Sequence, residues 1–338
     1  MCDMKPPSRV KLADVAERAG VSVATVSKVV NGRYGVSKDT IELVQGFIDE
    51  LGYVGNLSAS SLRSASTNVL GILVADFEPY SAEIIKGAAA LTRGTTWELL
   101  SHAGGERHGW ERRSIARLGG TLIDGAVVVT PTTSDVNFIV PVVAIDPHYG
   151  PNQVPTVDAD SYAGALAATR HLVELGHERI GFLGGRTELD SSRLREHGYR
   201  DAMKGAGLPT PMHYVRESRY DPDVAEALAL EMLALPQRPT AIFAANDVTA
   251  IRVLSAAKML GLRVPEDVSV IGFDDIPQAS LVSPSLTTVR QPLGAMGHAA
   301  MEMLLDLLAG KERETHVRMP TELVIRKSTA PPPATRTK

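Results

Sequence analysis

From residue 69 onward, short apolar runs rich in β-branched residues alternate with longer stretches whose apolar residues recur at helical spacing. Runs such as GAVVV are continuously apolar, which is typical of strands buried on both faces of a parallel sheet. Because there are too many runs for one small sheet, we expect two α/β subdomains. The predicted strands are 69–74, 97–100, 126–129, 142–145, 179–183, 214–216, 241–244 and 269–273, and the predicted helices are 81–93, 162–175, 193–206, 224–233, 249–260 and 294–308.

Composition excludes several classes of protein. The chain has 338 residues, 44% of them hydrophobic and 22% charged, as in an ordinary globular protein. Its one cysteine, Cys2, excludes an intrachain disulfide and a cysteine-based metal cluster. The apolar runs are too short to span a bilayer, and the first residues, MCDMKPPSRV, lack the apolar segment of a secretory signal. We therefore expect a cytoplasmic protein without a membrane partner.

The segment before residue 56 has a different pattern. Apolar residues at helical spacing predict three helices over 12–19, 23–30 and 38–51. Gly20 and Gly52 can end the first and third helices, and Ser22 and Ser37 can cap the second and third. Three short helices with a tight turn between the first two form a helix-turn-helix, although a three-helix bundle without a ligand remains the alternative.

Charge and side-chain chemistry in this segment suit double-stranded DNA. Residues 1–33 carry six basic and three acidic groups, a surplus of +3, so the rest of the chain sums to -7 within the net charge of -4. The second helix of such a motif enters the major groove. There Val23 and Ala24 offer apolar contact to a thymine methyl, and Lys28 can donate to guanine. Short polar groups suited to phosphate oxygens are Ser22, Thr25, Ser27 and Asn31.

The segment LADVAERAGVSVATVSKVVNG resembles the headpiece of the lactose repressor/galactose repressor family of bacterial transcription factors, whose pattern is DVAxxAGVSxxTVSRVxN. The resemblance continues through GYVGNLSASSLRS and through LGHERIGFLGG, AIFAANDVTA, VSVIGFDD and LTTVRQP in the α/β region. It implies a helix-turn-helix headpiece followed by two doubly wound parallel-sheet subdomains of periplasmic-binding-protein type. Two positions depart from the pattern: Lys28 stands where arginine is usual, and Gly55 where proline is usual.

The resemblance also implies roles in the segment 56–66, which on composition alone is a flexible linker. There it predicts a hinge helix that orders on DNA. Leu62 is expected to insert into the minor groove as an apolar wedge, and Arg63 to contact phosphate.

Ligands of open α/β folds bind beyond the carboxyl ends of the strands. Carboxylates, amides and guanidinium groups there can pair with sugar hydroxyls, and an aromatic face can cover a sugar ring. Asp247 and Asp275 could instead be helix caps, and Arg193 and Arg195 could form surface salt bridges. Trp110 is a further candidate for stacking. The predicted effector-binding residues are Asp76, Phe77, Tyr80, Asp146, Arg193, Arg195, Tyr220, Asn246, Phe273 and Asp274.

We interpret the chain as a ligand-responsive transcriptional repressor, a homodimer that binds a pseudo-palindromic operator and a saccharide effector. No nucleophile elbow, phosphate loop or metal-binding helix occurs in the sequence, so we expect no enzyme activity, cofactor or metal. A periplasmic-type sugar-binding protein and a nucleoside or sugar enzyme are the alternatives. The expected division is a headpiece at 1–55, a hinge at 56–66, an N-terminal subdomain at 67–158 and 291–319, a C-terminal subdomain at 159–290 and 320–329, and a disordered tail at 330–338.

Overall fold

The computed structural model describes residues 10–30, 34–53, 66–105, 107–133, 137–151, 154–311 and 314–333. The chain divides into two compact units, residues 1–67 and 68–338. We call them the head and the body. Within the described residues, no helix is both long enough and apolar enough to cross a membrane.

The head contains the three predicted helices, α1 (Leu12–Ala19), α2 (Val23–Val30) and α3 (Lys38–Leu51). Gly20 and Gly52 adopt the left-handed conformation that ends a helix, at φ 65° and 64°. The Ser22 hydroxyl accepts a hydrogen bond from the Thr25 amide at 3.0 Å, and Ser37 caps α3 in the same way. The predicted caps are therefore confirmed, and the helices enclose a small apolar core centred on Val15, Val26 and Val44.

The N-terminal subdomain of the body contains a six-stranded sheet in the order β11-β5-β4-β3-β1-β2. Its pairs are parallel, with Ile72 opposite Val127 in the register of β1 and β3. Side chains alternate between two cores: Ile72 packs toward α4 and α11, and Leu73 packs toward α5. The strands are β1 (Val69–Val74), β2 (Glu98–Ala103), β3 (Gly125–Val129), β4 (Val142–Ile145), β5 (Thr156–Ala159) and β11 (His316–Met319), and the helices are α4 (Pro79–Thr92), α5 (Trp110–Leu118) and α11 (Leu293–Leu308).

The C-terminal subdomain contains a second six-stranded sheet in the order β12-β10-β9-β8-β6-β7. Its pairs are parallel except β12, which runs antiparallel to β10. Helices cover both faces, so each subdomain is doubly wound, as the resemblance implied. The strands are β6 (Ile180–Gly184), β7 (Val215–Glu217), β8 (Ala241–Ala244), β9 (Ser269–Asp274), β10 (Thr287–Arg290) and β12 (Glu322–Val324), and the helices are α6 (Ser161–Glu174), α7 (Asp190–Gly205), α8 (Pro222–Leu233), α9 (Asp247–Met259) and α10 (Pro277–Leu281), with a 3-10 turn at Met212–Tyr214.

The two sheets are joined by three chain crossings, which follow β5, β10 and β11. In the N-terminal subdomain, α4 and α11 approach so closely that a Cβ at Gly87 would lie 1.9 Å from the Gly294 carbonyl oxygen. Glycine at position 87 therefore permits the backbone contact that fixes α11 beside α4.

The structure adds elements that the sequence pattern did not predict, namely the strands β5, β10, β11 and β12 and the helices α5 and α10. It also corrects the start of the expected tail at 330–338. The Ala330 amide donates to the Ser269 hydroxyl at 3.0 Å, and its carbonyl oxygen lies 2.9 Å from His177 Nε2. The chain therefore remains attached to the second sheet through residue 330, and residues 334–338 lie outside the described residues.

Candidate functional site

Helix α2 of the head presents several of the predicted DNA-contacting residues at the surface. Val23 is 48% exposed, and Ala24 and Lys28 are also exposed, whereas Val26 is buried in the core. The hydroxyls of Ser22 and Thr25 lie 2.8 Å apart, so they support the helix start as well as facing outward.

Ser27 is half-buried, and the remaining three predicted positions of this group, Asn31, Leu62 and Arg63, lie outside the described residues.

A cavity of about 150 Å³ lies in the body where the carboxyl ends of strands from both sheets meet. We call it the inner cavity. Asp76, Thr130 and Asp146 follow β1, β3 and β4 of the first sheet, and in the second sheet Asn246 follows β8 and Asp274 ends β9. This volume is several times what a single water requires, so it admits a small organic molecule. Seven predicted residues line it: Asp76, Tyr80, Asp146, Arg195, Tyr220, Asn246 and Asp274.

Arg195 is the buried cation of the inner cavity. It lies on α7 with 3% of its surface exposed. Its guanidinium carbon lies 3.9 Å from the centre of the Phe273 ring, and Nη1 donates to the Ala245 carbonyl at 2.6 Å. Nη1 is also 3.6 Å from Asp274 Oδ1. The cation is therefore held by a ring beneath it, a carbonyl and a carboxylate, with fixed geometry toward a ligand.

Burial favours the protonated form of two carboxyl groups in the inner cavity. Burial raises the pKa of Asp274 to about 7 and the pKa of Asp146 to about 6, although Arg195 opposes both shifts. Asp274 accepts a hydrogen bond from Gln291 Nε2 at 2.7 Å, and Asp146 accepts one from the Ser191 hydroxyl at 2.9 Å. A ligand with hydroxyl donors would supply hydrogen bonds that stabilise the ionised forms.

Two tyrosines contribute rings and hydroxyls to the same cavity. The Tyr80 hydroxyl oxygen is shielded from solvent and has no hydrogen-bond partner among the described residues. A buried, unsatisfied hydroxyl is costly, so this oxygen is suited to meet a polar ligand atom. The Tyr220 ring lies so close to Gly185 that a Cβ there would be 2.0 Å from the ring, so glycine at 185 makes room for the ring.

Three predicted effector residues do not line the inner cavity. Phe77 is 57% exposed at the surface. Arg193 is exposed and pairs with Asp190 at 2.9 Å, as the salt-bridge interpretation proposed. Phe273 is fully buried beneath Arg195, so it supports the cation instead of facing the ligand.

Three subsidiary expectations are also corrected. Trp110, a candidate for stacking, is buried in the core beneath the first sheet. Asp247 is the first residue of α9 and is not its cap, since the Asn246 side chain accepts from the Thr249 amide. Asp275 pairs with Arg290 and Arg326 instead of capping a helix.

The sequence pattern missed several residues of the site. His148 lines the inner cavity, and burial lowers its pKa to about 4, so it is neutral near pH 7. Its position three residues after β4 is a signal that could have identified it. Ser191 and Gln291 position the two carboxylates, and neither carries a charge that would have drawn attention to it. Within the described residues, no cluster of histidine, cysteine or carboxylate side chains could hold a metal ion.

Comparison with known proteins places this geometry in a family. The model "Bacterial regulatory proteins, lacI family" matches residues 11–56, and the model "Periplasmic binding protein-like domain" matches residues 169–329. The repressor "HTH-type transcriptional repressor PurR" of Photobacterium profundum is 33% identical over 329 residues, covering 94% of this chain and 98% of that protein. The protein of the same name from Haemophilus influenzae is also 33% identical, with the same coverage.

Solved structures agree over nearly the whole chain. The complex of the transcriptional regulator CelR with cellobiose has a TM-score of 0.70 at 31% identity and covers 95% of this chain and 100% of that one. The lac repressor dimer bound to operator and the anti-inducer ONPF has a TM-score of 0.81 at 27% identity, covering 96% and 100%. The chain therefore belongs to the lacI family of bacterial regulatory proteins, DNA-binding transcriptional regulators that carry a separate ligand-binding domain.

Proposed function

We propose that this protein is a sequence-specific transcriptional repressor whose operator binding is switched by a saccharide in the inner cavity. The observation that carries the proposal is the cavity itself. Arg195, Asp274 and Asn246 come from one subdomain and Asp146 from the other, all at the carboxyl ends of their sheets. A ligand bound there contacts both subdomains, so its affinity depends on their relative rotation.

The chemistry of the inner cavity favours a polyhydroxylated ligand. The carboxylates of Asp146 and Asp274 accept hydroxyl hydrogen bonds, and the guanidinium of Arg195 donates to hydroxyl oxygens. The Tyr220 ring offers an apolar face to the C–H face of a sugar. The cellobiose bound by CelR supports this class of ligand. A nucleobase is the second class to test, because Asn246 and Tyr220 could also pair with and stack on a planar base.

The head would bind DNA as a homodimer, one half-site per subunit, as supported by the lac repressor dimer on its operator. Val23 and Ala24 would contact base edges and Lys28 would donate to guanine. The segment 56–66 would form a hinge helix on DNA. Coupling arises if the ligand binds the two rotational states of the body with different affinity, so that occupancy of the cavity changes how the two hinge segments pair.

Leu62 provides a test of the hinge proposal. We expect Leu62→Ala to weaken operator binding while leaving effector binding unchanged. The apolar wedge offsets the cost of unstacking a base step, which is about a few kcal/mol. Leu57→Ala is the matched control in the same segment. If Leu62→Ala binds operator as the parent does in an electrophoretic mobility shift, position 62 is only a linker residue.

Two assays test the proposed function as a whole. Selection from random-sequence duplexes should enrich a pseudo-palindrome, whereas a sugar-binding protein or an enzyme would enrich no sequence. A thermal-shift screen of saccharides and nucleobases should then identify the effector, since a bound ligand raises stability by RT ln(1 + [L]/Kd). Stabilisation by nucleobases alone would contradict the saccharide class while leaving the repressor proposal standing.

A further inference from the structure

A second cavity of about 550 Å³ adjoins the inner cavity in the body. We call it the outer cavity. His148 and Arg186 line both cavities, so the two spaces are neighbours. The N-terminal subdomain contributes His108, Thr132 and Tyr149 to the outer cavity, and the C-terminal subdomain contributes Glu188, Arg219 and Asp221.

Each of three chain segments contributes residues to both cavities. After β4, Asp146 lines the inner cavity, His148 lines both and Tyr149 lines the outer one. Around the start of α7, Ser191 lines the inner cavity, Arg186 lines both cavities and Glu188 lines the outer one. A molecule longer than the inner cavity would therefore extend past His148 and Arg186 into the outer cavity, between residues of both subdomains.

The third segment is held in an unusual conformation. Tyr220 lines the inner cavity and Arg219 the outer one, and these adjacent residues have φ angles of 60° and 57°. Non-glycine residues rarely adopt this region, and where they do, the surrounding structure must hold them. The Arg186 Nε donates to the Arg219 carbonyl at 3.2 Å, which ties this segment to the residue shared by the two cavities.

The polar groups of the outer cavity suit an uncharged ligand. Arg219 lies between Glu188 at 2.7 Å and Glu217 at 2.8 Å, so its charge is compensated within the protein. The Asp221 carboxylate caps α8 by accepting the amides of Asp223 and Val224 at 2.9 and 3.1 Å. The lining also contains Arg186, so two arginines stand against the carboxylates of Glu188 and Asp221, and these four side chains carry no net charge that would favour an ionic ligand.

Tyr149 supplies the apolar surface that a sugar ring requires. It is 56% exposed, although the adjacent His148 is buried. The loop that carries it is fixed at two points: the His148 carbonyl accepts from the Asp190 amide at 2.9 Å, and the Gly150 amide donates to the Pro147 carbonyl at 3.1 Å. Tyr149 is thus an exposed aromatic ring on an anchored loop beside polar groups, the combination that binds a pyranose face.

We infer that the outer cavity is a second saccharide subsite, so that the effector is an uncharged oligosaccharide of at least two units with its second ring against Tyr149. This inference rests on the proposed function, in which the inner cavity holds the first unit. Under it, Tyr149 determines ligand length and the inner residues determine which sugar is bound.

Calorimetry on the full-length protein tests the inference. The ligands are glucose, galactose, mannose and xylose, their common disaccharides, and the 6-phosphates of glucose and of trehalose. At least one disaccharide should bind about tenfold or more tightly than its own monosaccharide. In Tyr149→Ala the disaccharide affinity should fall by about tenfold, since removing a stacked ring costs on the order of one factor of ten. The monosaccharide affinity of this variant should stay within about twofold of that of the parent.

Tyr34→Ala is the matched control, because Tyr34 is a fully exposed tyrosine in the head. It should change neither affinity, and both variants should keep the parent melting temperature. Equal affinity for a monosaccharide and its disaccharides, or unchanged disaccharide binding in Tyr149→Ala, overturns the inference while the proposed function stands. If a sugar phosphate binds more tightly than the corresponding uncharged sugar, the inference of an uncharged ligand is wrong. If no saccharide binds, both the saccharide effector and the second subsite fail.

Discussion

At the scale of single residues, two arginines on α7 differ in surroundings, one lining the inner cavity and the other lying at the surface. Arg195 is buried against Phe273 and faces Asp274, whereas Arg193 is exposed and paired with Asp190. The two positions are two residues apart, so they point to different sides of the helix. Helix direction, and not proximity to a strand end, therefore decides which guanidinium enters the cavity.

Arg195→Lys tests this assignment. The lysine keeps the charge but loses the planar fork that contacts Asp274 and the Ala245 carbonyl together and, under the proposed function, donates to the ligand. We expect saccharide affinity, measured by calorimetry, to fall about 10- to 150-fold, as for the loss of one hydrogen bond to a charged group. Arg193→Lys should bind as the parent does. Equal affinities for the two variants would place the pocket elsewhere.

The raised pKa of Asp274 predicts a pH-dependent stability. Protonation of this buried carboxyl stabilises the fold, so its contribution is full below pH about 4 and is lost as pH rises through the folded pKa of about 7. The melting temperature of Asp274→Asn relative to the parent should therefore rise between pH 5 and pH 8 without ligand. The control is Asp267→Asn, because Arg263 lowers the pKa of Asp267 to about 2. If the difference in melting temperature between Asp274→Asn and the parent does not change with pH, burial does not raise the pKa of Asp274.

At the scale of elements, Glu111 on α5 holds the loop after β3. Its buried carboxylate accepts the Thr132 amide at 3.0 Å, the Thr132 hydroxyl at 3.1 Å and the Thr133 amide at 2.7 Å. Thr132 in turn lines the outer cavity. The carboxylate therefore positions one wall of that cavity without lining it.

Glu111→Gln should lower the melting temperature of the body by on the order of 3–10 °C. One amide oxygen cannot replace two charged ones, and a lost charge-assisted hydrogen bond costs about 1.5–3 kcal/mol. Glu98→Gln on β2 is the control, since Glu98 is exposed. Both can be measured by differential scanning calorimetry. A Glu111→Gln protein as stable as the control would show that the loop does not depend on this carboxylate.

Position in the sheet does not decide which strands could be predicted from the sequence, since the edge strands β2 and β7 were predicted and the inner strands β5 and β10 were not. Strands β1, β3, β4 and β8 are continuous apolar runs, and this pattern needs no knowledge of their neighbours. Strands β5, β10, β11 and β12 are three or four residues long and contain polar groups, as in HVRM. They become strands because a partner strand is already in place, and that context is absent from a local window.

The candidate site divides in the same way. The backbone positions of Asp146, Asn246 and Asp274 follow from where strands end, so the sequence predicts them. Phe77, Arg193 and Phe273 lie within two residues of cavity residues in the sequence but face solvent or the interior. His148 lies three residues after β4, so the same rule could have found it. Ser191 and Gln291 contact Asp146 and Asp274 across large sequence distances, which no local pattern encodes.

At the scale of the whole molecule, the head and the body are separate compact units. The free-energy changes caused by substitutions at distant, independent sites add to within about 0.5 kcal/mol. A change in the inner cavity should therefore leave operator affinity without ligand unchanged, and should alter only the response to ligand. All residues that line the inner cavity belong to the body, so the proposed function requires the ligand to change DNA binding by the head through the body.

Fluorescence anisotropy on a selected operator duplex, with and without a saturating saccharide, measures this coupling between the cavity and DNA binding. In the parent, saturation should change operator affinity by about tenfold or more, the usual scale of allosteric coupling. Asp274→Asn should bind the operator as tightly as the parent without ligand and should not respond at the same concentration. If calorimetry shows that the parent binds the saccharide and its operator affinity is nevertheless unchanged, the proposed coupling between the cavity and DNA binding is wrong.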